Sequence, residues 1–353
     1  MNSPILPGPR TARRPASSAL ALLLLGFSIL TGCASKTAEA PATEAPKSGG
    51  AAPAAEKKLV AVTQVTNWFA EPEHGGNYAA LAKGFYKEAG LDMTIQPGGP
   101  GVSATQIVAS GKAQFGMGQA DEILFARQNG IPLVAILAAF QKNPQGIMVH
   151  KDQNIKDIAG LNGRKVYVGS GVAYWEYMKK AYKLDAVQEL KYTGSLANFV
   201  SDKTAATQVY LTSEPFTMKK QGIETEVLLN ADFGYNPYAN VMFTTESFLK
   251  ENPEVVKSFV EATVKGWDYY KDHASEIHPS IQEKNPDLPI ENMDYGAEAQ
   301  KPLVYGGDAE TKGVGYMTME RWDALAKQLV DIGLLKADVD PAKAFTVEYL
   351  PKK

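Results

Sequence analysis

The sequence predicts an α/β layered protein with a largely parallel sheet. Short apolar or alternating runs, such as residues 91–95 (LDMTI) and 164–168 (RKVYV), take turns with segments of helical periodicity. Glycine-rich turns such as QPGGPG separate them. The 353 residues, 44% hydrophobic and 21% charged, suffice for one large domain or two medium ones. Strand then helix, repeated, is the pattern of crossover units whose strands run parallel.

The leading residues stand apart from this pattern. Arg10, Arg13 and Arg14 form a basic run, and residues 18–30 (SALALLLLGFSIL) an apolar one too short to span a membrane comfortably. Leu30, Thr31, Gly32 and Cys33 follow. That order is expected of a lipoprotein signal peptide over residues 1–32, with lipid on Cys33. Cys33 is the single cysteine, so neither an intrachain disulfide nor a Cys-based metal site can form. Residues 34–56 hold no large apolar side chain and read as a flexible tether beginning at the lipidated cysteine. The formal net charge of −3 gives no electrostatic reason to expect nucleic acid.

Folded elements begin near residue 57, with a strand over 57–64. Tyr78, Leu81, Ala82 and Phe85 fall at helical spacing within 76–88, and Gly90 is placed to end that helix. A strand over 91–95, a helix near 103–110, a strand over 113–117, a helix over about 120–129 and a buried strand over 132–138 come next. A second α/β unit opens with a strand at 164–168 and a helix at 173–182, then continues in short elements to about residue 230. Residues 241–244 begin a return segment. The helix over 253–273 carries Phe259, Trp267 and Tyr270 on one face, and a last helix covers about 319–332.

Motif chemistry is sparse. Gly169-Ser170-Gly171 follows a strand and Gly116-Met117-Gly118 closes one, but Tyr174 and Asp121 stand where a dinucleotide fingerprint needs its third glycine. Each reads as backbone approaching a ligand at a helix start, or as a tight turn with no ligand. His74, His150, His273 and His278 are too dispersed for a metal site, and the common hydrolase and nucleotide motifs are absent. His74 reads as a loop residue or a pocket wall rather than a catalyst. Glu71, Glu73, Asp121, Glu122, Glu176 and Glu214 lie in loops that follow strands, interleaved with Trp68, Tyr174, Trp175 and Tyr238. No Lys or Arg shares those loops. Aromatic faces with convergent carboxylates suit a flat heterocycle bearing amino groups.

The run Asn67-Trp68, then His74, then Lys83-Gly84-Phe85-Tyr86-Lys87-Glu88-Ala89-Gly90-Leu91-Asp92, resembles the thiamine-pyrimidine and sulfonate-type solute-binding proteins of ABC importers. That family also includes the yeast-type thiamine pyrimidine synthase. Further matches are Ala109 to Ala113, Phe115-Gly116, Gly160 to Val166, Glu214-Pro215-Phe216 and Phe248 to Pro253. The likeness is good over residues 57–270 and loose beyond.

The resemblance implies a type II periplasmic-binding-protein fold: two α/β lobes, two crossovers near Gln145 and Asn236, and a ligand cleft between. Lobe 1 would be 57–147 plus 237–353, and lobe 2 would be 148–236. It implies an extracytoplasmic, membrane-anchored binding protein, working as a monomer with an ABC permease and ATPase and needing no cofactor. Its ligand would be a small aromatic nitrogen heterocycle such as a thiamine-precursor pyrimidine. A sulfonate, nitrate or riboflavin ligand on the same fold is the alternative, and a sensor lipoprotein is another. Asn67, Trp68, His74, Gly118, Gln119, Asp121, Glu122, Ser170, Gly171, Tyr174, Trp175, Glu176, Glu214 and Tyr238 are the expected ligand-binding residues, with Trp68 stacking against Tyr174 or Trp175. In the synthase a donor histidine, a lysine for pyridoxal phosphate and a Cys-rich run are required. Here the corresponding positions hold Glu122, Gly118 and residues 236–242 (NPYANVM), which argues against that enzyme.

Overall fold

The computed structural model describes residues 58–352. The expected signal peptide, Cys33 and tether lie outside the described residues. In chain order come β1 (Val60–Val65), α1 (Gly75–Ala82), α2 (Phe85–Glu88), β2 (Leu91–Gln96), α3 (Ala104–Ala109), β3 (Phe115–Gly118), α4 (Ala120–Gln128) and β4 (Leu133–Phe140). Then follow β5 (Gln145–His150), β6 (Lys165–Val168), α5 (Ala173–Tyr182), β7 (Gln188–Lys191), α6 (Ala197–Ser201), β8 (Ala206–Tyr210), α7 (Glu214–Lys220) and β9 (Thr225–Leu229). The chain ends with β10 (Ala239–Thr245), α8 (Glu246–Glu251), α9 (Pro253–Lys284), α10 (Ile290–Val304), α11 (Asp308–Lys312) and α12 (Met319–Asp331).

These strands make two five-stranded sheets, ordered β2-β1-β3-β10-β4 and β7-β6-β8-β5-β9. The sheets are mixed rather than simply parallel. β10 runs antiparallel to both β3 and β4, and β5 runs antiparallel to both β8 and β9. Each reversed strand is the first one laid down after the chain passes from one lobe to the other. β5 already belongs to the second sheet at Gln145, so residues 145–147 sit with that sheet and not with the first. The passing segments touch: Asn143 N–H donates to Asn236 Oδ1 (2.9 Å), and Asn143 Nδ2 to the Pro237 carbonyl (3.2 Å).

β4 is buried along its whole length although it is the last strand of its sheet. Single bridges from Ala135 to Phe345 and from Ala138 to Gly315 cover its outer edge. Covering an edge removes the unpaired backbone groups that invite association. A continuous apolar run (LVAILAAF) is therefore tolerated at a position that would otherwise face water.

The expected helix over 76–88 is two helices. Gly84, at φ 75°, breaks it, a conformation that side chains beyond glycine adopt at a cost. The other aromatic helix is longer than its periodicity suggests: α9 continues to Lys284 through non-helical torsions at His273. Its aromatic face explains the glycine pair that opens α1. A Cβ on Gly75 would lie 2.2 Å from Tyr270 Cε1, and one on Gly76 2.2 Å from Trp267 Cγ. On the facing helix, a Cβ on Gly266 would lie 2.1 Å from the Gly76 carbonyl oxygen. The two helices thus meet backbone to backbone, and that contact fixes the loop 67–74 that precedes α1. Gly266→Ala meets backbone that cannot swing aside, so we expect a loss of about 1–3 kcal/mol. A lowered denaturant midpoint at unchanged slope would register it.

Candidate functional site

A cavity of about 340 Å³ lies where strand ends and loops of the two lobes meet. It falls within the ordinary size range of small-molecule sites. Ligand sites in open α/β sheets form at the carboxyl ends of strands, and these loops follow β1, β3, β6 and β8.

From the first lobe come Asn67, Trp68, His74, Gln119, Asp121 and Glu122. The loop after β1 supplies the first three, held down by α1. Gln119 caps α4, and its backbone N–H donates to Glu122 Oε2 (3.1 Å). From the second lobe come Gly171, Tyr174 and Glu214. Tyr174 is buried and donates to Gln208 Oε1 (3.0 Å), which also accepts from Gly169 N–H (2.6 Å). Glu214 opens α7, accepts from Tyr210 N–H (2.8 Å), and receives a long hydrogen bond from the Tyr192 hydroxyl (3.4 Å). The lobes meet directly where Gln119 Nε2 donates to the Tyr210 hydroxyl (2.6 Å) and where Thr212 donates to Glu73.

Five expected residues do not line the cavity. Trp175 is fully buried in the second lobe's core, and its indole donates to Glu189 Oε2 (3.0 Å), so Tyr174 is the aromatic of that pair that reaches the space. Glu176, one position on, pairs with Lys179 at 2.8 Å. Tyr238 turns toward α12: its hydroxyl accepts from Thr318 N–H (3.0 Å), and the Arg321 guanidinium lies 3.7 Å from its ring centre. Ser170 is exposed beside Gly171. Gly118 lies outside the lining, and a Cβ there would meet only the movable end of the Glu122 side chain, at 2.3 Å. Conversely Gln145, Tyr192, Gln208, Tyr210 and Asn240 do line the space. Their sequence signal was faint: a polar or tyrosine side chain within a strand or just past one.

The cavity wall contains Glu71, Glu73, Asp121, Glu122 and Glu214, and among the described residues no Lys or Arg. Burial raises every one of these carboxyls. Glu122 rises to about 7, with Asp121 beside it as the second cause; its exposed surface faces the cavity, so enclosure still acts on it. Glu214 also rises to about 7, again mainly from burial. Glu71 stands well above the ordinary range through burial and then the charges of Glu73 and Glu214. Burial likewise raises Glu73 and Asp121, against hydrogen bonds from Thr212 and Tyr235. His74 is pushed down to about 3 by burial and is neutral. Among the described residues no cluster of His, Cys, Asp or Glu is arranged to hold a metal ion.

Raised carboxyls couple stability to pH with a definite sign. In the unfolded chain Glu122 and Glu214 titrate near 4.5, and in the folded protein near 7. The folded state then holds more protons between those values, so their contribution is complete below about pH 4.5 and lost as pH rises through 7. Thermal unfolding without added ligand should show a steeper loss of Tm from about pH 5 to pH 8 in the wild type than in a Glu122→Gln/Glu214→Gln variant.

Comparison with known proteins places this geometry. The family model described as "NMT1/THI5 like" matches residues 71–277. The chain is 26% identical over 346 residues to the riboflavin-binding protein RibY of Chloroflexus aurantiacus, covering 94% of this chain and 97% of that protein. It is 24% identical over 280 residues to the formylaminopyrimidine-binding protein of Halalkalibacterium halodurans, covering 75% and 79%. It is 28% identical over 227 residues to the 4-amino-5-hydroxymethyl-2-methylpyrimidine phosphate synthase THI11 of Saccharomyces cerevisiae, covering 59% of this chain and 66% of the synthase. Among solved structures, the periplasmic aliphatic sulphonate binding protein SsuA of Escherichia coli superposes with a TM-score of 0.65 at 13% identity, covering 83% and 94%, which establishes the two-lobed periplasmic-binding fold. With that model matching more than half of its length, the chain belongs to the NMT1/THI5-like family.

Proposed function

We propose that this protein is the extracytoplasmic substrate-binding component of an ABC importer, anchored through lipid on Cys33, and that it captures an amino-bearing aromatic nitrogen heterocycle of the thiamine-precursor pyrimidine type. The observation that carries the choice of ligand is the cavity wall: five carboxylates, aromatic faces from Trp68 and Tyr174, and no Lys or Arg. Anionic ligands such as sulfonates and nitrate would find carboxyls and no cation to pair with, and could only be held against the neutral forms, while ring amino groups find acceptors. Two relatives that span most of the chain are named as binders of nitrogen heterocycles, riboflavin and formylaminopyrimidine, which supports the same reading.

The ring would lie between Trp68 and Tyr174, with Glu214 accepting from an amino group. A synthase would require its donor histidine and lysine where this chain has Glu122 and Gly118, which disfavours that reading.

Three measurements test the reading. In a thermal-shift panel, 4-amino-5-hydroxymethyl-2-methylpyrimidine should stabilise the protein, by roughly 2.7 kcal/mol at a hundred times its Kd; stabilisation by an alkanesulfonate or nitrate alone sinks the proposal, and stabilisation by riboflavin alone redirects it. Trp68→Ala should weaken binding more than about tenfold, from lost stacking and lost apolar burial. Affinity for the amine should also rise between about pH 5.5 and 8, because donors to Glu122 and Glu214 favour their ionised forms and release protons. An anion would show the opposite slope.

A further inference from the structure

A chain of four hydrogen bonds runs along the first lobe's side of the cavity. Glu71 backbone N–H donates to His74 Nδ1 (3.3 Å). His74 Nε2 meets Asn67 Oδ1 at 3.0 Å. Asn67 Nδ2 donates to Asn240 Oδ1 (3.1 Å), and Asn240 Nδ2 donates to the Glu73 carbonyl oxygen (2.7 Å).

The two ends of this chain are backbone groups of fixed polarity. An N–H can only donate, so His74 Nδ1 carries the lone pair and the neutral ring carries its proton on Nε2. A carbonyl can only accept, so Asn240 must turn its NH2 toward Glu73 and its oxygen toward Asn67. Neither amide can flip without setting donor against donor or acceptor against acceptor. Burial of His74 supports the neutral ring.

Asn240 holds its place at a cost. It sits at φ 44° on β10, one of three non-glycine residues with positive φ among the described residues, and it is 1% exposed. Asparagine tolerates that region better than most residues, but strain of this kind persists where surrounding structure over-determines it. One further observation lies beside the cavity: Glu73, whose Oε1 accepts from Thr212, leaves Oε2 buried with no hydrogen-bond partner among the described residues. A buried oxygen in that condition calls for a donor.

We propose that His74 and Asn240 are positioning residues that polarise Asn67, so that Asn67 presents its remaining N–H to the ligand and the cavity selects a heterocycle with a ring-nitrogen lone pair at that point. This rests on the heterocycle reading above. It assigns His74 a role through Asn67 rather than a contact of its own with the ligand. Asn67 would then supply the donor that such a ring nitrogen accepts.

Two experiments separate this relay from the reading beneath it. The first needs no ligand. Nitrogen-15 NMR of the imidazole rings at pH 7, with His74 assigned by its absence in His74→Gln, should show His74 neutral, protonated on Nε2 and accepting at Nδ1. A charged ring or the other tautomer overturns the relay. The second uses calorimetry with 4-amino-2-methylpyrimidine and the two aminopyridines in which one ring nitrogen is replaced by CH. Wild type should bind one of the aminopyridines roughly tenfold more weakly than the pyrimidine, the cost of an unpaired donor. His74→Phe and Asn240→Gly should shrink that preference to about twofold or less. Glycine accepts the backbone torsion, so Asn240→Gly removes the side chain without adding strain. His74→Gln should keep the preference, since its amide can accept from Glu71 N–H and donate to Asn67. An equal preference in all four proteins overturns the relay. If wild type binds none of the three compounds, the heterocycle reading falls and the proposed selection with it, while the imidazole spectrum still decides the polarity of the chain.

Discussion

Strand β10 enters the first sheet between β3 and β4, and it can do so only after the chain has made the whole second lobe. Both neighbours depend on it. β3 pairs with it through Gly116, Met117 and Gly118, and β4 pairs with it along nearly its full length. The same strand sets Asn240 against Asn67 and the Glu73 carbonyl, and its antiparallel direction brings the return crossover beside the outgoing one. Sheet closure, cavity wall and interlobe connection are therefore joined in one segment of seven residues. Such pairing is remote in sequence, and closure of long loops must precede its reward.

The second constraint is electrostatic. Five carboxyls share a small space with no cation, and the protein tolerates them because each is bonded, enclosed or raised into a range where it can be neutral. Glu214 leans on a backbone N–H at the start of α7, Glu122 on the start of α4, and Asp121 on the Tyr235 hydroxyl. None of these arrangements improves the core. They are the kind of local inconsistency that marks a working site, where groups sit in less stable states than they would choose in water.

Much of the element order was legible because it depends on local periodicity. The helix expected at 173–182 has those bounds, and strand bounds shift by up to three residues. What local pattern does not encode is strand direction. The reversed sense of β5 and β10 comes from where the chain must go next, not from the residues in them. The site divides along the same line. Asn67 and Trp68 stand in a loop, and Tyr174 in the first turn of α5 just after one, in stretches rich in polar and aromatic residues, and were readable. Trp175 and Tyr238 carry the same signals, but their side chains are turned into the core and onto α12 by one helical step and by the path of the crossover. Gln208, Tyr210 and Asn240 stand in strands, where alternation hides them, and only the meeting of two sheets brings them to one space. The glycine pair that opens α1 lies beside the candidate loop but answers to the aromatic face of α9.

The two crossovers run side by side, tied through Asn143 to Asn236 and Pro237, with Lys142 and Asp232 paired at 2.5 Å on the same segments. Arg321 adds a bond from α12 to the Asn236 carbonyl (3.1 Å). A single strand joining two bodies leaves them free to bend, twist and slide. Two strands bonded to each other suppress twisting and sliding, and leave one soft rotation about the line they share. The lobes would then search along one coordinate instead of three, and a ligand that draws them together has less orientational entropy to overcome.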